Sequence, residues 1–583
     1  METSNAAVAK ILRSVAAALT LKKANPFEIQ AYENAADAIE HSTSEVKDLW
    51  EEGKLDQIPG IGKKLEDHLN ELFKTGKVKH FETIKKGFPP ILFELLDVPG
   101  IGPKSAQELV KRGVRSLDDL NDEGLVKKGI SEKVAQKLTA SLGEVEGRNT
   151  GRMLLPYAFA QAARILAYLK KSPDVLAADP LGSLRRMVST VGDLDFSVSS
   201  KNPLRVVDYF IKVPRVERVI DKGDNKATVV LASGLHVDLL VGEPESYGAL
   251  LQHFTGSKNH NIKLRTYAEK KGLSLSEYGI KKIKGNKLIP CSTEDQLYKI
   301  LGMETPEPEL REDAGEIEAA LRQAQGKLPG LPKLVTLDDI KGDFHLHSSF
   351  PIEPSHDAGL DSIEEIIKKA RELGYVYLGI SDHSPATGTH TKEQIIKLIE
   401  KRTKFIQNLN KGKESVRVLN GLEIDILPDG SLSEPYEELD TCDYCIAGVH
   451  SVHNMSKDQM TQRLLKALAN PQVDILAHPT NRLINGRGSS EVNWEEIFEF
   501  CAKNHKLLEI NSSPQRLDLP DALVRQALEF GVKFIINTDA HQVAAMDDIR
   551  FGVAVARRGW AEEKDIVNTW EWKKIKEWFK IKQ

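Results

Sequence analysis

After residue 338 the chain places histidines and acids at the ends of a series of short apolar runs. They read Phe344-His345-Leu346-His347, Ser381-Asp382-His383, Gly421-Leu422-Glu423, Gly448-Val449-His450, Ala477-His478-Pro479 and Thr538-Asp539-Ala540-His541. The runs before these groups, Tyr375 to Ile380, Val416 to Leu419, Tyr444 to Ala447, Val473 to Leu476, Leu507 to Ile510 and Phe534 to Ile536, read as buried strands, with helix-like segments between them. That alternation is the rhythm of repeated βα units. In a βα barrel, chemistry sits at the carboxy-terminal ends of the strands, so these groups converge on one rim. Any one of the histidines also reads as an ordinary residue of a strand-end turn. The set does not, because ten of the sixteen histidines lie after residue 338. So many converging imidazoles and carboxylates point to a multinuclear metal centre.

Spacing supports this. His345 and His347 are two apart on a strand and share a face, and Asp539 and His541 repeat the arrangement. Divalent ions there would activate a water and clamp phosphate oxygens, which suits phosphoester hydrolysis. From about residue 339 to 583 the pattern resembles the PHP (polymerase and histidinol phosphatase) metallohydrolase domain, which implies up to three metals, manganese, zinc or iron, on the rim of a distorted seven-stranded barrel. The resemblance gives His345, His347, Glu423 and Asp539 to the first metal. Glu423 bridges to a second held by His450 and His478. His383 and His541 hold the third, with one more ligand from the loop after His347. There the chain reads Phe350-Pro-Ile-Glu-Pro-Ser-His356-Asp357, and either His356 or Asp357 fits. Asn511, Arg516 and His453 are near these motifs and read equally as phosphate contacts or as polar loop residues.

A chain of 583 residues is too long for one domain. Its 40% hydrophobic and 28% charged content is that of a globular protein with several cores. No apolar run approaches the roughly 18 residues that span a bilayer, and no basic-then-apolar leader opens the sequence. A cytoplasmic protein away from membranes is expected, with a monomer as the default. The four cysteines (291, 442, 445, 501) argue against a disulfide framework, and the lone pair Cys442 and Cys445 has no second pair to complete a zinc site. The net charge of −5 conceals an asymmetry: lysines and arginines crowd residues 50 to 150 and Lys258 to Lys287, while acids concentrate over Glu304 to Glu318. Such a division is compatible with binding of a phosphate backbone by part of the chain.

One internal repeat stands out. Ile58-Pro59-Gly60-Ile61-Gly62 and Val98-Pro99-Gly100-Ile101-Gly102 are each followed by a lysine (Lys64, Lys104) and a helix-like run. This is the helix-hairpin-helix pattern, in which glycines allow a tight turn whose N–H groups face a phosphate at a helix start. Gly60, Gly62, Lys64, Gly100, Gly102 and Lys104 are the expected DNA contacts, of a kind that does not read sequence.

Further on, Gly182-Ser183-Leu184-Arg185-Arg186 precedes Val191-Gly192-Asp193-Leu194-Asp195, and Asp238 follows in Leu235-His236-Val237-Asp238-Leu239. Asp193 and Asp195 alternate on a strand, so three strand carboxylates share one face and repel unless cations lie between them. Two magnesium or manganese ions fit, one at a 3′-hydroxyl and one at a triphosphate. Gly182 and Ser183 lie in a loop able to cradle phosphate. Gly-Ser-x-Arg-Arg followed by Gly-Asp-x-Asp resembles the nucleotidyltransferase site of family X DNA polymerases, and His253-Phe254-Thr255-Gly256-Ser257 resembles that family's sugar-recognition turn. The resemblance, over roughly residues 1 to 315, gives Asp193, Asp195 and Asp238 as catalytic metal ligands. It gives Gly182, Ser183, Arg186, Gly192, Phe254, Gly256, Asn261 and Arg265 as contacts to the nucleotide and nascent base pair. Both halves together are similar to bacterial and archaeal family X DNA polymerases with a PHP domain.

The chain departs from that pattern in places. His253 replaces a tyrosine, and His236 stands where animal relatives carry arginine. His68 and Glu28 replace the Schiff-base and phosphate-binding lysines of lyase-active relatives, which makes 5′-deoxyribose-phosphate lyase activity doubtful. The expected architecture is multidomain α/β. It runs from a helical domain with the first hairpin (1–85) and a helical domain with the second (86–148) to a mixed α/β palm (149–245), an α/β thumb (246–302), a linker (303–338) and a distorted (βα)7 PHP barrel (339–583). The implied function is filling of short gaps in repair, on gapped or primer-template DNA with deoxynucleoside triphosphates. A metal-dependent 3′–5′ exonuclease or phosphoesterase would process 3′ ends. A second reading makes the chain mainly a DNA-end phosphoesterase or abasic-site endonuclease with a DNA-binding amino-terminal half. The intact aspartate triad weighs against it.

Overall fold

A computed structural model describes residues 5–40, 46–51, 53–55, 58, 61–97, 101–116, 119–120, 125, 128, 152–232, 234–285, 287–411, 416–433, 439 and 441–581. Gly60 and Gly100 of the two hairpin turns lie outside these residues.

The amino-terminal domain is helical. Asn5–Leu21, Pro26–Glu40, Val46–Glu51, Lys63–Thr75 and Lys79–Lys85 surround a core that includes Leu12, Val15, Tyr32, Leu69 and Phe81. Lys63–Thr75 buries Leu65, Leu69 and Leu72, which lie four and three residues apart on one face, and it stops at Gly76 in the left-handed region (φ 74°). A second small core of Ile91, Leu92, Leu95, Ile101, Ala106 and Leu109 joins Pro90–Glu94 to Pro103–Lys111.

The palm is a mixed five-stranded sheet in the order Ala177–Pro180, Leu194–Ser199, His236–Gly242, Lys226–Leu231, Val216–Lys222. Only Leu194–Ser199 and His236–Gly242 run parallel. In His236–Gly242 alternate residues Val237, Leu239 and Val241 are buried, which turns Asp238 to the opposite face. Leu155–Leu169 and Pro203–Phe210 pack their apolar faces on this sheet. The thumb joins the antiparallel strands Leu273–Ser276, Gly279–Lys282 and Leu288–Ile289 to the helices Tyr247–Thr255, Lys258–Lys270 and Glu294–Leu301.

Residues 303–338, expected as a linker, carry ordered structure. Helix Glu316–Ala324 buries Ile317 and Ala320 in the thumb core, and Leu310, Ala319 and Leu334 pack with Trp560 of the barrel. The apolar spacing inside this acidic stretch outweighs its prolines.

The carboxy-terminal part is a parallel sheet in chain order: Tyr377–Ile380, Arg417–Asp425, Tyr444–Gly448, Ile475–Leu476, Leu507–Asn511, Lys533–Asn537. The seventh place in the ring is reduced to one residue, since Leu346 bridges in parallel to both Ile380 and Ala540. That single position closes the half-open sheet. Helices Ile363–Glu372, Lys392–Asn410 and Lys457–Leu468 each begin at a reciprocal capping box, Ser362/Glu365, Thr391/Gln394 and Ser456/Gln459. Palm and barrel share one apolar core: Phe159 meets Phe551 edge-on with centroids 5.7 Å apart, and Arg550 lies over both rings.

Candidate metal centre and nucleotidyl-transfer site

Parallel strands bring the barrel's histidines to one rim, around Glu423. One carboxylate oxygen, Oε2, lies 3.1 Å from His345 Nε2, 3.0 Å from His383 Nδ1 and 3.5 Å from His347 Nε2. The other, Oε1, lies 3.2 Å from both His450 Nε2 and His478 Nε2. Asp539 Oδ1 sits 3.1 Å from His347 Nε2 and 3.5 Å from His345 Nε2. Donor atoms of His345, His347, Glu423 and Asp539 therefore converge, as do those of His347, His383 and His541, and of His383, Glu423 and His450. His541 stacks on His347 with ring centroids 4.0 Å apart. Of the alternatives in the loop, His356 lies against the cluster, its Nε2 3.0 Å from Asp425 and its ring 4.6 Å from that of His450. Asp357 is exposed and in none of the convergent groups.

These residues fit metal ions. His345 Nε2, His383 Nδ1 and Glu423 Oε2, which face one another at 3.0–3.1 Å, are buried without a well-formed hydrogen bond, a gathering of buried polar atoms that an ion between them would satisfy. Gly448 keeps the space open: a Cβ there would lie 2.9 Å from His450 Cε1 and His478 Cε1 and 3.2 Å from Glu423 Oε1. Two of the groups are held in strained backbone, His478 at φ 28° and Asp539 at φ 55°. Burial opposes charge on His450, but Glu423 and Asp425 outweigh it and hold its pKa at about 9.

Two carboxylates in this centre escaped the sequence reading. Asp425 accepts from His450 Nδ1 at 2.6 Å, and Glu509 accepts from His345 Nδ1 at 2.7 Å and from the His478 backbone N–H at 2.7 Å. They orient the imidazoles so that the other nitrogen faces inward. Both were detectable. Asp425 stands two after Glu423 on one strand, and Glu509 is a lone acid inside the apolar run Leu507–Asn511. Asn511 donates to Glu509 and to Asp539, both at 3.1 Å, so it positions the Asp539 carboxylate. His453 and Arg516 stand beside the cluster. Burial, then the nearby charges of Arg487, His450 and Arg516, push His453 down to about 4. Arg516 Nη1 is a buried donor without a hydrogen-bond partner. A cationic edge beside a carboxylate-imidazole centre is suited to a phosphodiester.

In the palm, Asp195 and Asp238 are register partners on the two parallel strands, and Asp193 immediately precedes the first of them. Burial and then the charges of Asp238 and Asp193 raise the Asp195 carboxyl to about 6, a repulsion that a cation between the acids would relieve. Thr228 Oγ1 donates to Asp238. Gly182, in the left-handed region (φ 56°), lets the backbone pass Asp195, since a Cβ there would be 3.1 Å from its Oδ2. Ser183 belongs to the helical turn Gly182–Arg185 that this glycine opens. Gly192 abuts Arg152, with a Cβ position 3.2 Å from its Nη1.

Arg186 donates to the Thr255 carbonyl and pairs with Glu312 at 2.9 Å. Next to it, Gly256 has φ 73°, and a Cβ there would be 3.1 Å from Arg186 Nη1. Phe254 lies in the same turn, packed on the His253 ring. Asn261 donates to the His253 carbonyl at 2.7 Å, and Arg265 Nη2 lies 3.3 Å from His253 Nδ1. His253, a departure at the sequence level, is thus the point on which Asn261 and Arg265 converge.

In the hairpin domains, Gly62 and Gly102 precede Lys63–Thr75 and Pro103–Lys111 with nearly the same backbone, φ/ψ −78°/170° and −83°/174°. Nothing lies within 4 Å of a Cβ at either, so both helix starts open to solvent beside the exposed Lys64 and Lys104. Lys64 Nζ pairs with Glu28 at 2.7 Å, and His68 bonds Tyr32 Oη at 3.2 Å and stacks on His80. No amine occupies the His68 position.

The helix-hairpin-helix domain matches residues 3–78, the SAM-like helix-hairpin-helix tandem 92–144, the DNA polymerase beta thumb 250–312 and the PHP domain 343–513. The DNA polymerase/3′-5′ exonuclease PolX of Bacillus subtilis is 34% identical over 98% of this chain and 99% of its own. DNA polymerase lambda of Arabidopsis thaliana is 26% identical over 48% of this chain and 57% of its own, and a probable phosphatase of Thermoanaerobacter is 28% identical over 29% of this chain and 71% of its own. From hairpin turns to metal rim, the chain belongs to the PolX family of family X DNA polymerases with a carboxy-terminal PHP domain.

Proposed function

We propose that this protein is a template-directed DNA polymerase that fills short gaps and carries a metal-dependent 3′–5′ exonuclease in its barrel. The observation that carries the reading is the presence on one chain of two separate acid clusters suited to cations, the Asp195–Asp238 pair and the Glu423-centred group. Asp193, Asp195 and Asp238 would hold magnesium or manganese, with Asp238 helping to position or deprotonate the primer hydroxyl. Ser183 and Arg186 take the triphosphate, while Phe254, Gly256, Asn261 and Arg265 line the sugar and base-pair side. Gly62, Lys64, Gly102 and Lys104 grip the DNA backbone without reading it.

In the barrel, His345, His347, Glu423 and Asp539 would hold one ion, Glu423, His450 and His478 would serve a second, and His383, His541 and His356 a third. Manganese, zinc or iron suits this donor set, and ions bound there supply Lewis acidity and an activated water. Asp425 and Glu509 fix the tautomers of His450 and His345. Arg516 and His453 steer the phosphodiester. The similarity to a probable phosphatase over 29% of the chain favours a 3′-phosphatase activity at the same centre. The roles separate under mutation. Asp193→Ala is expected to abolish extension and spare shortening of a primer, and His345→Ala with His347→Ala to do the reverse. Shortening that survives the double histidine variant would refute the assignment of the nuclease to the barrel.

A further inference from the structure

The barrel helix Ile549–Arg558 ends in two arginines that each grip a glutamate of the segment following the thumb. Arg557 Nε bonds Glu309 at 2.7 Å, and Arg558 Nη1 bonds Glu312 Oε1 at 3.0 Å. Arg558 also donates to the Arg186 carbonyl at 2.8 Å and is anchored by Asp521 at 2.7 Å. The same oxygen, Glu312 Oε1, accepts from Arg186 Nε at 2.9 Å. One carboxylate is therefore shared between a palm guanidinium and a barrel guanidinium. All three side chains are largely covered, Arg558 at 9%, Arg186 at 13% and Glu312 at 30% exposure. Neither arginine's contact here belongs to the metal rim.

This inference rests on Arg186 being a triphosphate ligand, as proposed above. A guanidinium edge offers the same donors to a carboxylate as to a phosphate, so Glu312 occupies the donor that a triphosphate needs. We infer that Glu312 is the resident anion of the triphosphate subsite and that Arg558 is a positioning residue, contributed by the barrel, that sets the polymerase's affinity for incoming nucleotide. When a triphosphate takes Arg186, Glu312 keeps a charge-assisted bond to Arg558, which lowers the cost of exchange. Without Arg558, Glu312 has Arg186 as its remaining guanidinium and is harder to displace. Nuclease domain and nucleotide site are thus joined through one oxygen atom.

The test is single-nucleotide insertion of dCTP into a one-nucleotide gap by the full chain, with KM and kcat measured separately. Glu312→Gln is expected to lower KM and Arg558→Ala to raise it, each by roughly threefold to fivefold, with kcat moving less. The double variant should lie closer to Glu312→Gln than to Arg558→Ala, because Arg558 acts mainly through that carboxylate, its bond to the Arg186 carbonyl being the remainder. Arg558→Lys, which keeps the charge, should lie between wild type and Arg558→Ala, and it keeps the test decisive if the alanine variant unfolds. A purely structural role would move both KM values the same way, in step with thermal stability, and would overturn the proposal; so would no change in either. Arg186→Ala separates the two levels. If it leaves KM unchanged, the nucleotide-site reading itself fails. If it raises KM while Glu312→Gln does nothing, only the shared-carboxylate inference fails.

Discussion

The two acid-built sites solve the problem of holding charge in opposite ways. Beside the palm's aspartates, Arg185 and Arg186 are already paired within the protein. Arg185 meets Glu294 at 2.6 Å, and Glu294 also pairs with Arg311, which is 1% exposed. The three aspartates are left partly open and repel one another, as the raised Asp195 carboxyl records. In the barrel, most of the donors are buried, and several of their atoms form no hydrogen bond. The palm's frame is complete from the protein's own pairs, and its cation site awaits substrate and ions together. The barrel's centre would be completed by ions held among its unpaired donor atoms, which would make metal binding and local stability one quantity there.

Four substitutions break or sharpen this contrast. The largest effect is expected from Glu423→Gln, which weakens the carboxylate common to both halves of the barrel centre. Nuclease activity should fall by about two orders of magnitude or more with gap filling retained, measured on one DNA substrate. Next, Glu294→Ala strips the partner from a buried arginine and should cost about 3–5 kcal/mol in denaturant unfolding. The Arg311 and Arg185 guanidiniums outweigh burial and hold Glu294 at about 2. Its stabilisation is therefore present above its unfolded value near 4.5 and is lost as pH falls toward 2. A smaller change at the variant would mean that the palm frame is not set by this pair.

Asp425→Asn should weaken metal binding by roughly tenfold to a hundredfold without removing a primary ligand. Titration of the metal-free protein with manganese, followed by thermal shift, checks this, and equal affinity would remove Asp425 from the centre. The smallest effect belongs to Asp195→Asn. A carboxyl raised by burial and like charges destabilises the fold when ionised, above about pH 6, and ceases to do so below about pH 4. Without divalent ions the variant should be more stable at pH 8 by at most about 3 kcal/mol, with the gain vanishing by pH 4. A gain independent of pH would refute the account of mutual repulsion.

Much of this was legible in the chain because strand periodicity is strict. His345 and His347, or Asp193 and Asp195, must share a face once their segments are extended. The apolar runs located the six barrel strands, though Arg417–Asp425 extends well past Leu419 and carries Glu423 and Asp425 within it. The seventh place was not legible as a single bridging residue, since Leu346 joins its neighbours only through long-range closure. Glu509 was hidden by reading its run as apolar core. The pairing of Arg186 with Glu312 and Arg558 joins positions 126 and 372 residues away from the arginine, and no local pattern encodes it. Segment 303–338 was read from its acids and prolines, while its packing depends on surfaces supplied by thumb and barrel.

The most direct measurement of the central claim uses one radiolabelled primer in a one-nucleotide gap with manganese, first without and then with all four nucleotides. The account predicts shortening in the first case and extension in the second by the wild-type chain, extension alone by His345→Ala/His347→Ala, and shortening alone by Asp193→Ala. Loss of both activities in either folded variant, or shortening that persists when the two histidines are replaced, would contradict two independent sites on one chain.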